Sequence, residues 1–141
     1  MTGHNSSLRE PLVETVLAFD FGLKRIGVAV GNTLLKQAQP LTIVTAATND
    51  AKFAAITILI EQWQPGRCVV GLPRHPDDVE HEMTVRCRRF ANQLHGRFGV
   101  VTVLVDERYS SAVIPQQRGE LIDAQAAAII LQQYFDDHAD L

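Results

Sequence analysis

The sequence predicts an α/β fold in which a five-stranded mixed sheet carries helices on both faces, and three observations lead to it. Two short apolar runs, residues 16–21 and 26–30, are joined by Gly22-Leu23-Lys24-Arg25, the pattern of an antiparallel hairpin. Beyond the hairpin, apolar runs alternate with helical stretches, which favours parallel strands joined by helical crossovers in a three-layer arrangement. Residues 68–72 (C-V-V-G-L) are continuously apolar, as expected of a strand covered on both faces.

A chain of 141 residues fits one domain and can bury roughly two thirds of its unfolded surface. Its net charge of −3 excludes a generic basic nucleic-acid coat, so any contact with nucleic acid has to be local. Residues 1–14 are polar, contain Pro11 and lack the apolar core of a signal peptide, and read as a flexible leader to a single domain over 15–138. No stretch is apolar enough to span a bilayer, so a soluble, cytoplasmic protein without a membrane partner is expected.

In the hairpin, strand alternation puts Val16, Ala18 and Asp20 on one face and Leu17, Phe19 and Phe21 on the other. Asp20 is the anomaly, because a carboxylate ending an apolar strand needs a cation, a donor or solvent. Gly22, Gly27 and Gly31 keep the neighbourhood free of bulk and allow backbone to come close to something large. Residues 40–44 form a third, edge strand. Thr48-Asn49-Asp50 offers N-caps for a helix over 51–63 with Phe53, Ile56, Ile60 and Trp63 on one stripe, ended by Gln64-Pro65-Gly66.

After the strand at 68–72, Pro73 and Pro76 enforce a loop containing Arg74. Helix returns over 82–95 with Met83, Cys87, Phe90, Ala91 and Leu94 inward and Arg86 and Arg89 elsewhere. Residues 100–105 form the last strand, ending in Asp106-Glu107-Arg108, and residues 123–135 the last helix, followed by an acidic, solvated end. Cys68 and Cys87 have no metal-ligand spacing and read as core residues in a reducing compartment, while a pairing between the two is compatible with the sequence alone. His75, His81 and His95 likewise share no ligand spacing and read as surface or cap residues.

Ligands of such sheets gather at the carboxyl ends of the strands. That rule makes Asp20, Asp106 and Glu107 candidates for one rim, and Asp123, in phase with Ala127, Ile130 and Tyr134, can join them. Two carboxylates about 4 Å apart repel by about 1 kcal/mol in water and about 4 kcal/mol at an effective dielectric of 20, so crowding them calls for protonation or a cation. Acidic oxygens without a His or Cys cluster point to Mg²⁺ or Mn²⁺, and to phosphodiester hydrolysis as the matching chemistry. Lys24, Arg25, Arg74, Arg86, Arg89 and Arg108 are the candidate phosphate contacts, with Lys24, Arg74 and Arg108 placed best because they lie in loops beside the acids.

Five segments in register, V-L-A-F-D-F-G-L-K-R-I-G-V-A-V-G, V-V-G-L-P, R-R-F-A-N-Q-L, V-D-E-R-Y-S-S and D-A-Q-A-A-A-I-I-L, resemble the YqgF (RuvX-type) family over nearly all of residues 16–135. The resemblance implies a ribonuclease H-like fold and a cytoplasmic bacterial nuclease. It implies action on structured RNA at the 5′ end of pre-16S ribosomal RNA, or on branched DNA as a Holliday junction resolvase. By motif, Asp20 matches the first-strand acid, Asp106 and Glu107 the acids ending the last strand, and Asp123 the acid opening the final helix. Asp20, Glu107 and Asp123 would then hold the metal, with Asp106 ligating or orienting it. The chain departs from the family in residues 109–122, which are shorter than usual, and in its P-R-H-P-D-D loop. The short segment and the negative charge motivate an alternative, a catalytically silent RNA-binding factor of ribosome assembly. D-F-G-L-K also resembles the phosphate-binding turn of sugar-kinase and actin-like modules, although those close two domains around a nucleotide.

Overall fold

A computed structural model describes residues 13–45, 47–73, 82–107 and 121–138. Arg74, His75, His81, Arg108, Tyr109 and the leader through residue 12 lie outside the described residues.

The elements follow the expected order: β1 (Thr15–Asp20), β2 (Arg25–Asn32), β3 (Gln39–Thr45), α1 (Asn49–Trp63), β4 (Arg67–Leu72), α2 (Glu82–Phe98), β5 (Val101–Asp106) and α3 (Leu121–Asp137). The five strands form one sheet in the order β3-β2-β1-β4-β5. β1 pairs antiparallel with β2 and parallel with β4, and β4 pairs parallel with β5, so the sheet is mixed. The carboxyl ends of β1, β4 and β5 therefore lie along one rim.

Alternation along β1 divides the core. Leu17 and Phe19 join Val70 and Leu72 beneath α1 and α2, where Phe53, Ile56, Phe90 and Leu94 are buried. Val16 and Ala18 join Ala29, Val69 and Val105 beneath α3, against Ala127, Ile130, Leu131 and Tyr134. Helices thus cover both faces, and the side of the sheet that Asp20 belongs to is the α3 side.

Local chemistry sets the helix ends. The Thr48 hydroxyl accepts a hydrogen bond from the Ala51 amide at 3.0 Å, and Gln64 ends α1 in the left-handed region at φ 45°. The buried arc of α1 takes in Leu59, while Ile60 and Trp63 are only half-buried, so the apolar face is broader than the expected stripe. α2 runs on past His95 to Phe98 and stops at Gly99, whose φ of 67° suits a residue without a Cβ. Cys68 and Cys87 are both buried and unpaired with each other, and burial pushes each thiol up to about 12.

Candidate active site at the carboxyl rim

Asp20 ends β1 in register with Gly27 of β2. A Cβ on Gly27 would collide with the main-chain carbonyl of Asp123, so the missing side chain lets the first turn of α3 lie directly on the hairpin. Gly31 does the same for the Phe135 ring, 2.8 Å from where its Cβ would be. The large object that Gly27 and Gly31 admit is therefore α3, which delivers Asp123 to the end of β1, whereas Gly22 closes the turn on the Arg25 carbonyl and Gly31 also faces the Gln37 carbonyl.

Glu107 arrives from β5. Its amide donates to the Leu72 carbonyl at 2.9 Å, extending the β4–β5 pairing by one residue. Val103 and Val105 pack on the α3 side, so one step beyond Asp106 the chain returns to that side. There the Glu107 Oε2 lies 2.9 Å from where a Cβ on Gly71 would be, with Ile130 Cδ1 at 2.5 Å from the same point. Gly71 is thus the notch that seats Glu107. It carries the site's shape without chemistry of its own, and the glycine inside an apolar strand was the signal available for it.

The electrostatics record the crowding. Burial, then Glu107, then Asp123, push the Asp20 carboxyl up to about 7. Burial also raises Glu107. Cys87, across the sheet in α2, feels both Glu107 and Asp20 in addition to its own burial. Asp20 neutral and Asp20 ionised are consequently close in free energy at physiological pH.

Asp123 has a partner. The Arg25 Nε donates to its Oδ2 at 3.0 Å, with side-chain exposures of 60% and 31%. Asp106 is exposed, falls on the sheet face opposite Val105, and its main-chain carbonyl accepts a hydrogen bond from Gln133. Asp20, Glu107 and Asp123 thus share one electrostatic neighbourhood, and Asp106 falls on the other face of β5.

Among the basic candidates, Lys24 is exposed in the hairpin turn and Arg25 is engaged with Asp123. Arg86 is bound within α2 to Glu82 at 2.6 Å, and Arg89 is exposed on that helix. His95 is exposed, in keeping with the surface alternative for it, with its Nδ1 3.1 Å from the Val100 carbonyl.

The donor set suits a hard divalent cation, because its oxygens are carboxylates and the nearby thiol is held protonated. Among the described residues, no three His, Cys, Asp or Glu side chains are gathered closely enough to enclose an ion. The Arg25 contact on Asp123 is part of that geometry.

Comparison with known proteins gives a consistent picture. A family model described as RuvX, Holliday junction resolvase, matches residues 14–137. A protein of Paraburkholderia xenovorans named "Putative pre-16S rRNA nuclease" is 51% identical over 132 residues, covering 89% of this chain and 90% of that one. A Bordetella parapertussis protein of the same name is 55% identical over 125 residues, covering 87% and 94%. Among solved structures, Thermus thermophilus RuvC in complex with a Holliday junction substrate superposes with a TM-score of 0.61 at 14% identity, over 89% of this chain and 96% of that one. A second Thermus thermophilus RuvC structure gives 0.57 at the same identity and coverage. The fold is thereby ribonuclease H-like. Among the described residues, no helix is long and apolar enough to cross a membrane.

Proposed function

The chain belongs to the RuvX family, and from that premise we propose that it is a divalent-metal-dependent endonuclease that cleaves structured RNA, with the 5′ end of pre-16S ribosomal RNA as its target. The observation that carries the proposal is the convergence of three acids at the carboxyl rim, Asp20 paired with Gly27, Asp123 seated through its carbonyl on that same glycine, and Glu107 lying over Gly71. A half-buried carboxyl raised first by its own desolvation and then by two neighbouring carboxylates is a poor structural element and a good cation site.

Asp20, Glu107 and Asp123 are the residues that would hold Mg²⁺ or Mn²⁺. When bound, the cation supplies positive charge for activating a water and stabilising the leaving oxygen of a phosphodiester. The protein's own contribution is orientation. Asp20 is fixed by the hairpin, Glu107 by the Gly71 notch, and Asp123 by the seat of α3 on Gly27. Lys24 and Arg25 lie in and beside the hairpin turn and are suited to phosphate oxygens of the scissile strand, a role also assigned to Arg74 and Arg108. Arg86 and Arg89 would act farther along the backbone.

The negative net charge agrees with a site that reads phosphates locally. The test is nicking of a pre-16S leader RNA in Mg²⁺ or Mn²⁺ by the wild type and by Asp20→Asn. Cleavage by the wild type alone is expected, whereas equal cleavage by both would remove the metal assignment. A four-way DNA junction assayed alongside reports whether branched DNA is the better substrate.

A further inference from the structure

We propose that Arg25 occupies the Asp123 carboxylate in place of a divalent cation and exchanges with it, so that Arg25 is a positioning residue setting how tightly the acidic rim takes metal. The inference rests on the metal-dependent reading of that rim and adds a gate to it.

The contact joins residues 98 positions apart, with Nε 3.0 Å from Oδ2. Neither backbone is free to drift. A Cβ on Gly22 would come within 2.5 Å of the Arg25 carbonyl, which reflects a tightly closed turn, and Arg25 begins β2 in register with Thr45 of β3. The Asp123 carbonyl is pressed against Gly27. With both main chains fixed, rotation of the two side chains decides whether the carboxylate serves Arg25 or joins Asp20 and Glu107. Asp123 already acts on Asp20 through space, yet among the described residues no three such groups enclose an ion.

A guanidinium and a divalent cation on one carboxylate repel each other, so occupancy by one weakens the other. The guanidinium and the cation therefore compete for the same carboxylate oxygens. At 60% exposure the Arg25 side chain can leave cheaply. A phosphate oxygen entering the rim would be its next partner, coupling arrival of substrate to release of Asp123.

The experiment is calorimetric titration of the full chain with MnCl₂ alone, without nucleic acid. It compares wild type, Arg25→Met, Lys24→Met, Asp123→Asn and the Arg25→Met/Asp123→Asn double variant, each checked for folding by circular dichroism. Arg25→Met is expected to bind Mn²⁺ about fivefold more tightly, the scale of an exposed ion pair. Lys24→Met, which removes a charge from the same turn, should shift affinity less. In the Asp123→Asn background, loss of Arg25 should change nothing. Arg25→Gln provides a second replacement if Arg25→Met misfolds. Unchanged or weaker binding in the Arg25 variant, or an equal gain in Lys24→Met or in the double variant, overturns the exchange and leaves the metal site standing. Absence of Mn²⁺ binding in both wild type and Arg25→Met overturns the metal reading itself.

Discussion

Gly27 stands across the hairpin from Asp20, and the Asp123 carbonyl fills the space that a side chain at Gly27 would need. One missing Cβ thus sets the distance between the strand that carries the first acid and the helix that carries the last. The obstruction at Gly27 is main chain, which cannot step aside without lifting α3. At Gly71 the obstructing atoms are the ends of Ile130 and Glu107, which can rotate.

The two glycines should therefore respond differently to alanine. Gly27→Ala is expected to cost about 3 kcal/mol in urea unfolding and Gly71→Ala about 1 kcal/mol, with RNA cleavage lost in both. In Gly71→Ala the loss follows from the displaced Glu107 carboxylate in a protein that is still folded. Equal stability losses would mean that α3 is not pinned at Gly27.

Asp20 should make the metal-free protein sensitive to pH. Its carboxyl is raised from 3.8 to about 7, so between those values the folded state holds more protons than the unfolded state. Stability consequently falls as pH rises through that window, the contribution being complete below about 4 and lost above about 7. Asp20→Asn removes the charge at nearly constant shape. In EDTA at pH 8 it is expected to be more stable than wild type by roughly 2–4 kcal/mol, with the gain vanishing near pH 4. Thermal melts of both proteins across that range give the answer, and a gain independent of pH would point to packing instead of charge.

Much of this was legible in the chain itself, for physical reasons that can be named. Side chains on a strand alternate, so Asp20 could be assigned the face of Val16 and Ala18 before any helix was placed. Glycine in an apolar hairpin announced a close approach, and α3 is what approaches. The separate places of Asp106 and Glu107 were not legible, because they depend on which β5 residues meet α3 and on the extra hydrogen bond to Leu72. Nor was the partner of Arg25. A turn residue and a helix residue 98 positions apart meet only after the sheet has brought both to one rim. On α1 the expected stripe of Phe53, Ile56, Ile60 and Trp63 does pack on the core, and Leu59 widens it because the sheet beneath takes a broader arc than one stripe.

Cation binding should be linked to protons. Asp20 must be ionised to act as a ligand, and in the free protein its burial and its acidic neighbours push its carboxyl up to about 7. Mn²⁺ affinity is expected to rise with pH up to about 7 and then level off, with proton release on binding below that point. Calorimetry in two buffers of different ionisation enthalpy measures the protons directly. Saturating Mn²⁺ should also raise the melting temperature of wild type at pH 8 and leave that of Asp20→Asn nearly unchanged. An affinity that ignores pH between 5 and 8 would mean that Asp20 is not a ligand.

Asp106 and Glu107 offer a contrast within one dipeptide. Glu107 is seated over Gly71 on the α3 side and adds to the potential that raises Asp20, whereas Asp106 is exposed and belongs to the other face. Glu107→Gln keeps the shape and removes a charge beside Asp20. It should therefore lower cleavage at least about a hundredfold, the scale of losing an electrostatic group at a reacting centre. The same variant should stabilise the metal-free fold, since one source of repulsion on Asp20 has gone. Asp106→Asn should change cleavage less than about tenfold and leave metal affinity unaltered, because its side chain falls on the sheet face opposite Val105 and Glu107. Rates measured under single-turnover conditions, with Mn²⁺ affinities taken in parallel, separate the two. If Asp106→Asn proved the more damaging, the rim would have to be rebuilt in the presence of metal with the end of β5 turned over.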